Sequence, residues 1–223
     1  MCVPYKTVEE IRDSRAELSG FYLKKKSWIV QKELREDLFS REIFARFGKD
    51  AAIMELGCSN GFMLENFFKK GFTNLIGVDV DNYIACPNVL PSLRIVDLNR
   101  APFPAETGSL DVVVALEIIE HLENPWFFAS ECRRVLKPNG LLLLSMPWGH
   151  TIWDKMRFFS SGNIVNYHAK NNHITFLMRD CFAKAFSHFR VERSLFQHGY
   201  VPFLYPRRWR KRLPPHPLWS LKI

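Results

Sequence analysis

The stretch MELGCSNGFML, residues 54–64, decides the fold, because an apolar run ends there in a turn that contains two glycines. The run AAIMEL (51–56) has the length and apolarity of a buried strand, and GFMLENFFKKG (61–71) is typical of a helix that Gly71 ends. Glycines at such a turn let the backbone approach a ligand closely at the carboxyl end of a strand. The stretch therefore predicts a strand–turn–helix unit that binds a nucleotide-like ligand.

Apolar runs of strand length alternate with helical patterns along the rest of the chain. Helical signals occur at 123–137, where Asn124 suits the cap and Pro125 the first turn, and at 81–86, where Pro87 cuts the helix short. Further strands are predicted at 74–80, 93–98, 110–116, 141–146, 189–196 and 218–223. Continuously apolar strands separated by helices indicate a parallel sheet that is covered on both faces. We therefore predict an α/β fold with a doubly wound, mainly parallel sheet.

The chain divides into two parts on this interpretation. Residues 1–50 are predicted to form a helical N-terminal cap, and residues 51–223 the nucleotide-binding domain. Within that domain, 147–174 is an aromatic and polar insertion, and 198–217 is a basic, proline-rich loop.

Two aspartates follow neighbouring strands at the edge that the glycine turn occupies. Asp79 ends the second predicted strand, 18 residues after Gly61, and Asp97 ends the third. An acid placed about twenty residues after a glycine turn can accept hydrogen bonds from ribose hydroxyls. A glycine-rich turn alone would be weak evidence for a cofactor site. The turn together with the two acids favours a site for a nucleoside-containing cofactor.

These residues resemble the class I S-adenosylmethionine-dependent methyltransferases, in particular the type 11 group. The first motif of that family is acid-x-Gly-x-Gly-x-Gly, which Glu55, Gly57 and Gly61 match, with Ser59 in place of the middle glycine. GVDVD resembles the second motif, and VDLNRAPFPAETGSLDVVVALEIIEHLENP the third and fourth. RRVLKPNGLLLLSMP is similar to the passage into the fifth strand, with Asn139 where glycine is usual.

The resemblance implies a Rossmann-like methyltransferase fold with seven strands, the last of them antiparallel and beside the fifth. It implies that S-adenosylmethionine is the cofactor and that these residues bind it: Glu55, Gly57, Ser59, Gly61, Asp79, Asp97, Leu98 and Glu117. Asp79 would contact the ribose, Asp97 the adenine amino group, and Leu98 the ring. An oxidoreductase, or a catalytically silent methyltransferase fold kept as a binding subunit, are the alternatives from other classes.

Glu117, Glu120 and His121 have i, i+3, i+4 spacing, which would place them on one side of a helical turn. The sequence EIIEHLENP is also similar to small-RNA 2′-O-methyltransferases, whose Glu-x-x-Glu-His binds a divalent metal with a later histidine, here His173. That similarity implies a Mg²⁺ or Mn²⁺ site formed by Glu117, Glu120, His121 and His173. The alternative is that these residues line the pocket or cap the turn without a metal.

The acceptor is indicated only in outline. His121, His150 and His173 are candidates for a general base, since an imidazole titrates near neutral pH. Residues 147–176 are rich in aromatic and polar side chains, which suits a ring or a sugar. The layout also resembles methyltransferases of cell-envelope glycan pathways. We expect O-methylation of a small-molecule or glycan acceptor, including lipid-linked ones; the alternative is methylation of a ribose 2′-hydroxyl in RNA.

The net charge of +8 comes largely from two basic clusters, residues 23–28 and 205–212. Such clusters attract RNA, an acidic substrate or an anionic membrane surface, or they simply keep a loop solvated. The five cysteines are odd in number and form no C-x-x-C pair, which argues against a disulfide framework. We expect a cytoplasmic protein, either free or peripheral at the inner face of the membrane.

Overall fold

The computed structural model describes residues 39–147, 149, 152–164, 167, 172–195 and 218–222. These residues contain seven strands, numbered in chain order: β1 Ile53–Leu56, β2 Leu75–Asp79, β3 Leu93–Ile95, β4 Leu110–Leu116, β5 Leu136–Ser145, β6 Arg190–Leu195 and β7 Leu218–Lys222.

Five helices accompany the strands. They are α1 at 39–46, α2 Phe62–Lys69, α3 Pro125–Val135, α4 Ile152–Ser161 and α5 Arg179–Ala185. Short 3₁₀ helices occupy Pro87–Ser92 and Ile119–His121. The start of α3 follows the prediction, because the side chain of Asn124 accepts a hydrogen bond from Phe127 N–H and Pro125 fills the first turn.

The strands form one sheet in the order β3-β2-β1-β4-β5-β7-β6. Strands β1 to β5 pair in parallel, while β7 lies antiparallel between β5 and β6. The predicted mainly parallel, seven-stranded sheet is therefore confirmed, including the antiparallel strand beside the fifth.

Alternate residues of the central strands enter two separate cores, one on each face of the sheet. In β4, Val112 and Val114 pack on one face, and Val113 and Ala115 on the other. Helix α2 contributes Phe67 to the first core, while α3 and α5 contribute to the second. Burial on both faces explains why these strands read as continuous apolar runs.

Two of the predicted elements are shorter than expected, and a third is replaced by a 3₁₀ helix further along the chain. Helix α3 ends at Val135 rather than at 137, because Pro138 disfavours helical geometry in the preceding residue. β3 stops at Ile95, and the Asp97 segment forms a turn. No α-helix forms at 81–86 among the described residues; a 3₁₀ helix begins instead at Pro87.

Part of the predicted cap is described. In α1, Phe39 and Ile43 are buried in the core that α2 also covers. Residues 1–38 and the basic, proline-rich loop at 198–217 lie outside the described residues. No helix in the described part of the chain has the length and apolar character needed to cross a membrane.

Candidate functional site

The glycine turn after β1 has left-handed backbone geometry at three alternate positions. The φ angles are 71° at Gly57, 49° at Ser59 and 77° at Gly61. A Cβ added to Gly57 would lie 2.9 Å from Ile118 Cδ1, and one added to Gly61 would lie 2.7 Å from Ile84 Cδ1. Both glycines are therefore required by backbone geometry and by the space that neighbouring side chains leave.

Asp79 ties this turn to the end of β2. Its Oδ2 accepts a hydrogen bond of 2.8 Å from Ser59 N–H, and its Oδ1 one of 2.7 Å from Val80 N–H. The residue is 2% exposed. The carboxylate that the sequence assigns to the ribose thus also holds the turn in its left-handed shape.

The other predicted cofactor residues lie at the same edge or directly behind it. Asp97 follows β3; its Oδ1 accepts a hydrogen bond of 3.0 Å from Asn99 N–H, and its Oδ2 lies 3.6 Å from Arg100 Nε. Leu98 is buried in the core of the α3 face, and Glu55 is buried within β1. The turn, Asp79 and Asp97 form a continuous rim along the carboxyl ends of β1, β2 and β3, which fits a nucleoside cofactor.

The predicted helical turn over 117–121 is wrong at its first residue. Glu117 has φ 52°, and the 3₁₀ helix covers only Ile119–His121. The backbone N–H of Glu117 bonds to the carbonyl of Ser145 at the end of β5, and its Oε1 accepts a hydrogen bond of 2.7 Å from Ser145 Oγ. This tether between the ends of β4 and β5 separates Glu117 from the other predicted metal ligands.

Glu120, His121 and His173 do come together. One potential ligand atom from each lies within 4.8 Å of the others. Glu120 Oε1 is 3.9 Å from His121 Nε2 and 4.0 Å from His173 Nε2. The Glu120 side chain is 1% exposed, while the two imidazoles remain partly accessible. We refer to these three residues as the histidine–carboxylate cluster.

Backbone hydrogen bonds bring His173 to this cluster across a long stretch of chain. The N–H groups of Ile174 and Thr175 bond to the carbonyl of Glu120 at 2.8 and 3.0 Å. The Thr175 hydroxyl donates to the carbonyl of Leu122. The segment before α5 is thereby fastened to the 3₁₀ helix after β4, and the histidine rings meet with centroids 4.8 Å apart.

The orientation of His121 follows from one contact. Its Nδ1 lies 3.0 Å from the carbonyl oxygen of Asn172. A carbonyl only accepts hydrogen bonds, so Nδ1 carries the proton and Nε2 of the neutral ring has a lone pair. That lone pair points to the side of the cluster where the Glu120 carboxylate lies.

Tyr167 closes the cluster on one side. Its ring lies 5.5 Å from His173 and 5.0 Å from Phe176, and its hydroxyl donates to the carbonyl of Thr175 at 3.0 Å. Burial, followed by the nearby carboxylates of Glu120 and Glu117, raises the pKa of Tyr167. The phenol therefore stays protonated and supports the cluster without acting as a base.

The sequence reasoning missed the supporting residues Ser145, Asn172, Tyr167 and Thr175. No residue pattern marks two of these contacts, because Asn172 contributes only its backbone carbonyl and Ser145 a single hydroxyl. Of the three predicted general bases, His150 lies outside the described residues, and the other two belong to the cluster.

Comparison with known proteins agrees with this geometry. Residues 54–144, which run from β1 to the end of β5, match the type 11 family described as a methyltransferase domain. This part of the chain is thus similar to a type 11 methyltransferase domain. A probable S-adenosylmethionine-dependent methyltransferase of Mycolicibacterium smegmatis is 36% identical over 103 residues, which are 45% of this chain and 38% of that protein.

A second relative is a ubiquinone biosynthesis O-methyltransferase of Cereibacter sphaeroides, 26% identical over 50% of this chain and 51% of its own length. The matched stretch thus spans only about two fifths to half of these relatives. A solved S-adenosylmethionine-dependent methyltransferase of Archaeoglobus fulgidus superposes with a TM-score of 0.58 at 14% identity, covering 89% of this chain and 100% of that one. The methyltransferase domain thus has the class I fold, and its family supports S-adenosylmethionine as the methyl donor.

Proposed function

We propose that this protein transfers a methyl group from S-adenosylmethionine to a hydroxyl of a small-molecule or saccharide acceptor. The observation that carries the proposal is the position of the histidine–carboxylate cluster. It follows β4 at the same edge of the sheet as the glycine turn, which follows β1, so a base and a cofactor cradle lie at one edge. Both parts are required to methylate a neutral hydroxyl.

When bound, S-adenosylmethionine supplies a methyl group already activated by its sulfonium. The glycine turn and Asp79 hold the cofactor, and the left-handed geometry at Gly57 and Gly61 keeps the backbone close to it. With the cofactor at the ends of β1, β2 and β3, the acceptor would lie near the ends of β4 and β5. The protein's main task is then to align the acceptor oxygen with the methyl group.

His121 is the proposed general base. Its Nε2 can accept the acceptor's proton because Nδ1 is committed to Asn172. Glu120, 3.9 Å from that Nε2, stabilises the imidazolium that forms. The ring is 21% exposed, so a substrate can reach it. His173 orients the same carboxylate from the other side, and Tyr167 forms a flat wall that suits a sugar or an aromatic ring.

A calorimetric titration and a methyl-transfer assay, both with the purified full chain, test this proposal. Calorimetry with S-adenosylhomocysteine, after treatment with a chelator, should give binding in the micromolar range. Radiolabelled S-adenosylmethionine should then label hydroxyl acceptors from a panel of sugars and phenols, and the label should fall by about 10² to 10⁴ in His121→Gln. Failure of the nucleotide to bind would overturn the enzyme proposal and favour a catalytically silent subunit.

The histidine–carboxylate cluster also favours a second candidate, a metal-assisted methyltransferase that acts on a ribose 2′-hydroxyl of RNA. Two imidazole nitrogens and one carboxylate oxygen within 4.8 Å form a donor set that suits Mn²⁺ or Zn²⁺ better than Mg²⁺. Because Glu117 is tied to Ser145, we propose Glu120, His121 and His173 as the ligands. A metal there would polarise the attacking hydroxyl.

The two candidates differ in two measurable properties. The metal candidate requires loss of activity on chelation and recovery with Mn²⁺. The RNA acceptor requires an affinity for single-stranded RNA that falls with salt, as the net charge of +8 allows. Activity that survives chelation, together with no RNA binding at low salt, would remove this second candidate.

A further inference from the structure

Helix α4 exposes an unusual amount of apolar surface. Four of its side chains are large, apolar and largely exposed: Trp153 at 49%, Met156 and Phe158 at 56%, and Phe159 at 89%. Burying such a side chain in an apolar medium is favourable in proportion to the apolar area removed from water. Their concentration on one ten-residue helix therefore marks a surface that is built to contact something apolar.

The attachment of α4 to the protein shows which face is directed outward. Asp154 is 3% exposed, so it marks the inward side of the helix. At about 100° per residue, Met156 and Phe159 lie within about 40° of the opposite direction, whereas Phe158 lies about 40° from Asp154. Trp153 and Lys155 flank them at about 80° on either side. The outward face is thus an apolar centre with a tryptophan on one border and a lysine on the other.

The charges of α4 identify the chemistry of what it contacts. Lys155 and Arg157 are exposed, whereas the one acid of the helix, Asp154, is buried. The exposed surface of α4 therefore combines cations with large apolar groups and presents no carboxylate. Interfacial helices on anionic lipid have this composition, with apolar side chains in the acyl region and cations among the headgroups.

We propose that α4 docks flat on an anionic lipid bilayer, with Met156 and Phe159 inserted and Lys155 and Arg157 at the headgroups. A second copy of this chain is disfavoured as the occupant, because two proteins of net charge +8 repel each other and α4 offers no exposed acid to a basic partner. The docking itself does not depend on the proposed methyl transfer.

The position of α4 gives the docking a consequence for the acceptor, and this step does rest on the proposed function. The helix follows β5 and precedes the segment that carries His173, so it belongs to the acceptor side of the sheet. A bilayer contact at α4 would bring the acceptor side of the sheet close to the headgroup layer. The acceptor would then belong to the class of lipid-linked hydroxyl compounds.

Co-sedimentation of the full chain with lipid vesicles tests the proposal. Vesicles of phosphatidylcholine with about 30% phosphatidylglycerol should bind the protein, and pure phosphatidylcholine should bind it far more weakly. Lys155→Gln with Arg157→Gln should weaken binding about thirtyfold, since each cation near an anionic surface contributes about five- to sixfold. Met156→Ser with Phe159→Ser should reduce binding at least as much.

Matched changes on α3 provide the control. Trp126 is 51% exposed and Arg133 is exposed. Arg133→Glu lowers the net charge by the same two units as the α4 glutamine pair, and Trp126→Ser removes an aromatic group as exposed as Trp153. Both should bind vesicles like the wild type. All variants should retain their affinity for S-adenosylhomocysteine, which shows that they fold.

Three results would overturn the docking proposal. The first is equal binding of the wild type to neutral and anionic vesicles, and the second is wild-type binding by both double variants of α4. The third is a dimer in sedimentation that the Met156→Ser, Phe159→Ser variant no longer forms. A wild-type protein that does not bind S-adenosylhomocysteine would instead contradict the proposed function. Failure of the docking proposal and failure of the proposed function are therefore distinguishable.

Discussion

Asp79 and Ser59 are 20 residues apart in the chain and are joined by a hydrogen bond of 2.8 Å from the Ser59 N–H to the Asp79 carboxylate. Ser59 is the residue that stands where the family motif has its middle glycine. Its left-handed φ of 49° would be strained without such a contact. The contact therefore explains how the turn tolerates a serine, and it gives the acid a structural role beside its predicted role at the ribose.

Replacing Asp79 with asparagine should weaken binding of S-adenosylhomocysteine by about 10- to 100-fold. The change removes a charged acceptor from the turn and from the ribose, and hydrogen bonds to charged groups contribute about 1.5–3 kcal/mol. Calorimetric titration measures the effect. Asp81→Asn, two residues further along the same edge, is the control and should change affinity less than threefold; the reverse ranking would show that Asp81 is the ribose acid.

Gly57→Ala and Gly108→Ala should separate backbone strain from crowding. Both glycines have positive φ, 71° and 64°, but a Cβ at Gly57 meets Ile118 at 2.9 Å, whereas nothing lies within 4 Å of one at Gly108. Gly108→Ala should lower the free energy of unfolding by about 1 kcal/mol and leave nucleotide affinity unchanged. Gly57→Ala should lower both the free energy of unfolding and the affinity for the nucleotide. Equal nucleotide affinities in the two variants would contradict the close approach of the turn to the cofactor.

Removing one imidazole from the histidine–carboxylate cluster should weaken metal binding there. His173→Gln should reduce Mn²⁺ or Zn²⁺ affinity at least about tenfold in calorimetry, because one of three protein ligands is lost. S-adenosylhomocysteine affinity should not change. His188→Gln, at an exposed position outside the cluster, is the matched control. A metal affinity that is the same in wild type, His173→Gln and His188→Gln would exclude the cluster as the site.

Glu131 makes stability depend on pH. Its carboxylate is paired with Arg134 and accepts a hydrogen bond of 2.8 Å from Phe103 N–H, and Arg134 also binds the carbonyls of Phe103 and Ala105. These contacts, with the Arg134 hydrogen bond as the largest cause, lower the pKa of Glu131. A lowered folded-state pKa stabilises the fold above the unfolded-state pKa, and the contribution is lost as the pH falls through the folded-state value.

Glu131→Gln should therefore lower the free energy of unfolding by about 1–3 kcal/mol at pH 7. The difference from the wild type should shrink as the pH falls from the unfolded-state pKa, about 4.3, through the lowered folded-state pKa, below which the wild-type carboxyl is protonated as well. Urea unfolding at several pH values measures this trend. Glu106→Gln, at an exposed position, should show little difference at any pH; a pH-independent penalty for Glu131→Gln would mean that packing, not charge, holds the segment at 103–105.

Much of the fold could be predicted because local chemistry and long-range packing agree. Strand β4 was predicted with the bounds it has, since all seven residues are apolar or flank a buried run. The predicted helix start at Asn124 and Pro125 depends only on groups within one turn. The C-terminal boundary of α3 was predicted too late, because Pro138 disfavours helical geometry in the residue before it.

The candidate site was predictable only in part. The glycine turn and Asp79 belong to one contiguous unit of strand, turn, helix and strand, so sequence spacing places them together. The link between His121 and His173 spans a much longer stretch, and the contacts that make it are hydrogen bonds to the backbone carbonyls of Glu120 and Asn172. Such bonds leave no trace in residue type.

The sequence by itself determined the doubly wound sheet and the cofactor edge, because apolar runs, glycines and acids act through local conformation and burial. Only the tertiary structure decided which acids and histidines meet. It joins the Glu117 carboxylate to the Ser145 hydroxyl and places the Glu120 carboxylate within reach of two imidazoles, through contacts between segments that are distant in the chain. It also decided that α4 shows its apolar side chains outward, since only the packing of Asp154 against the protein selects the inward face of the helix.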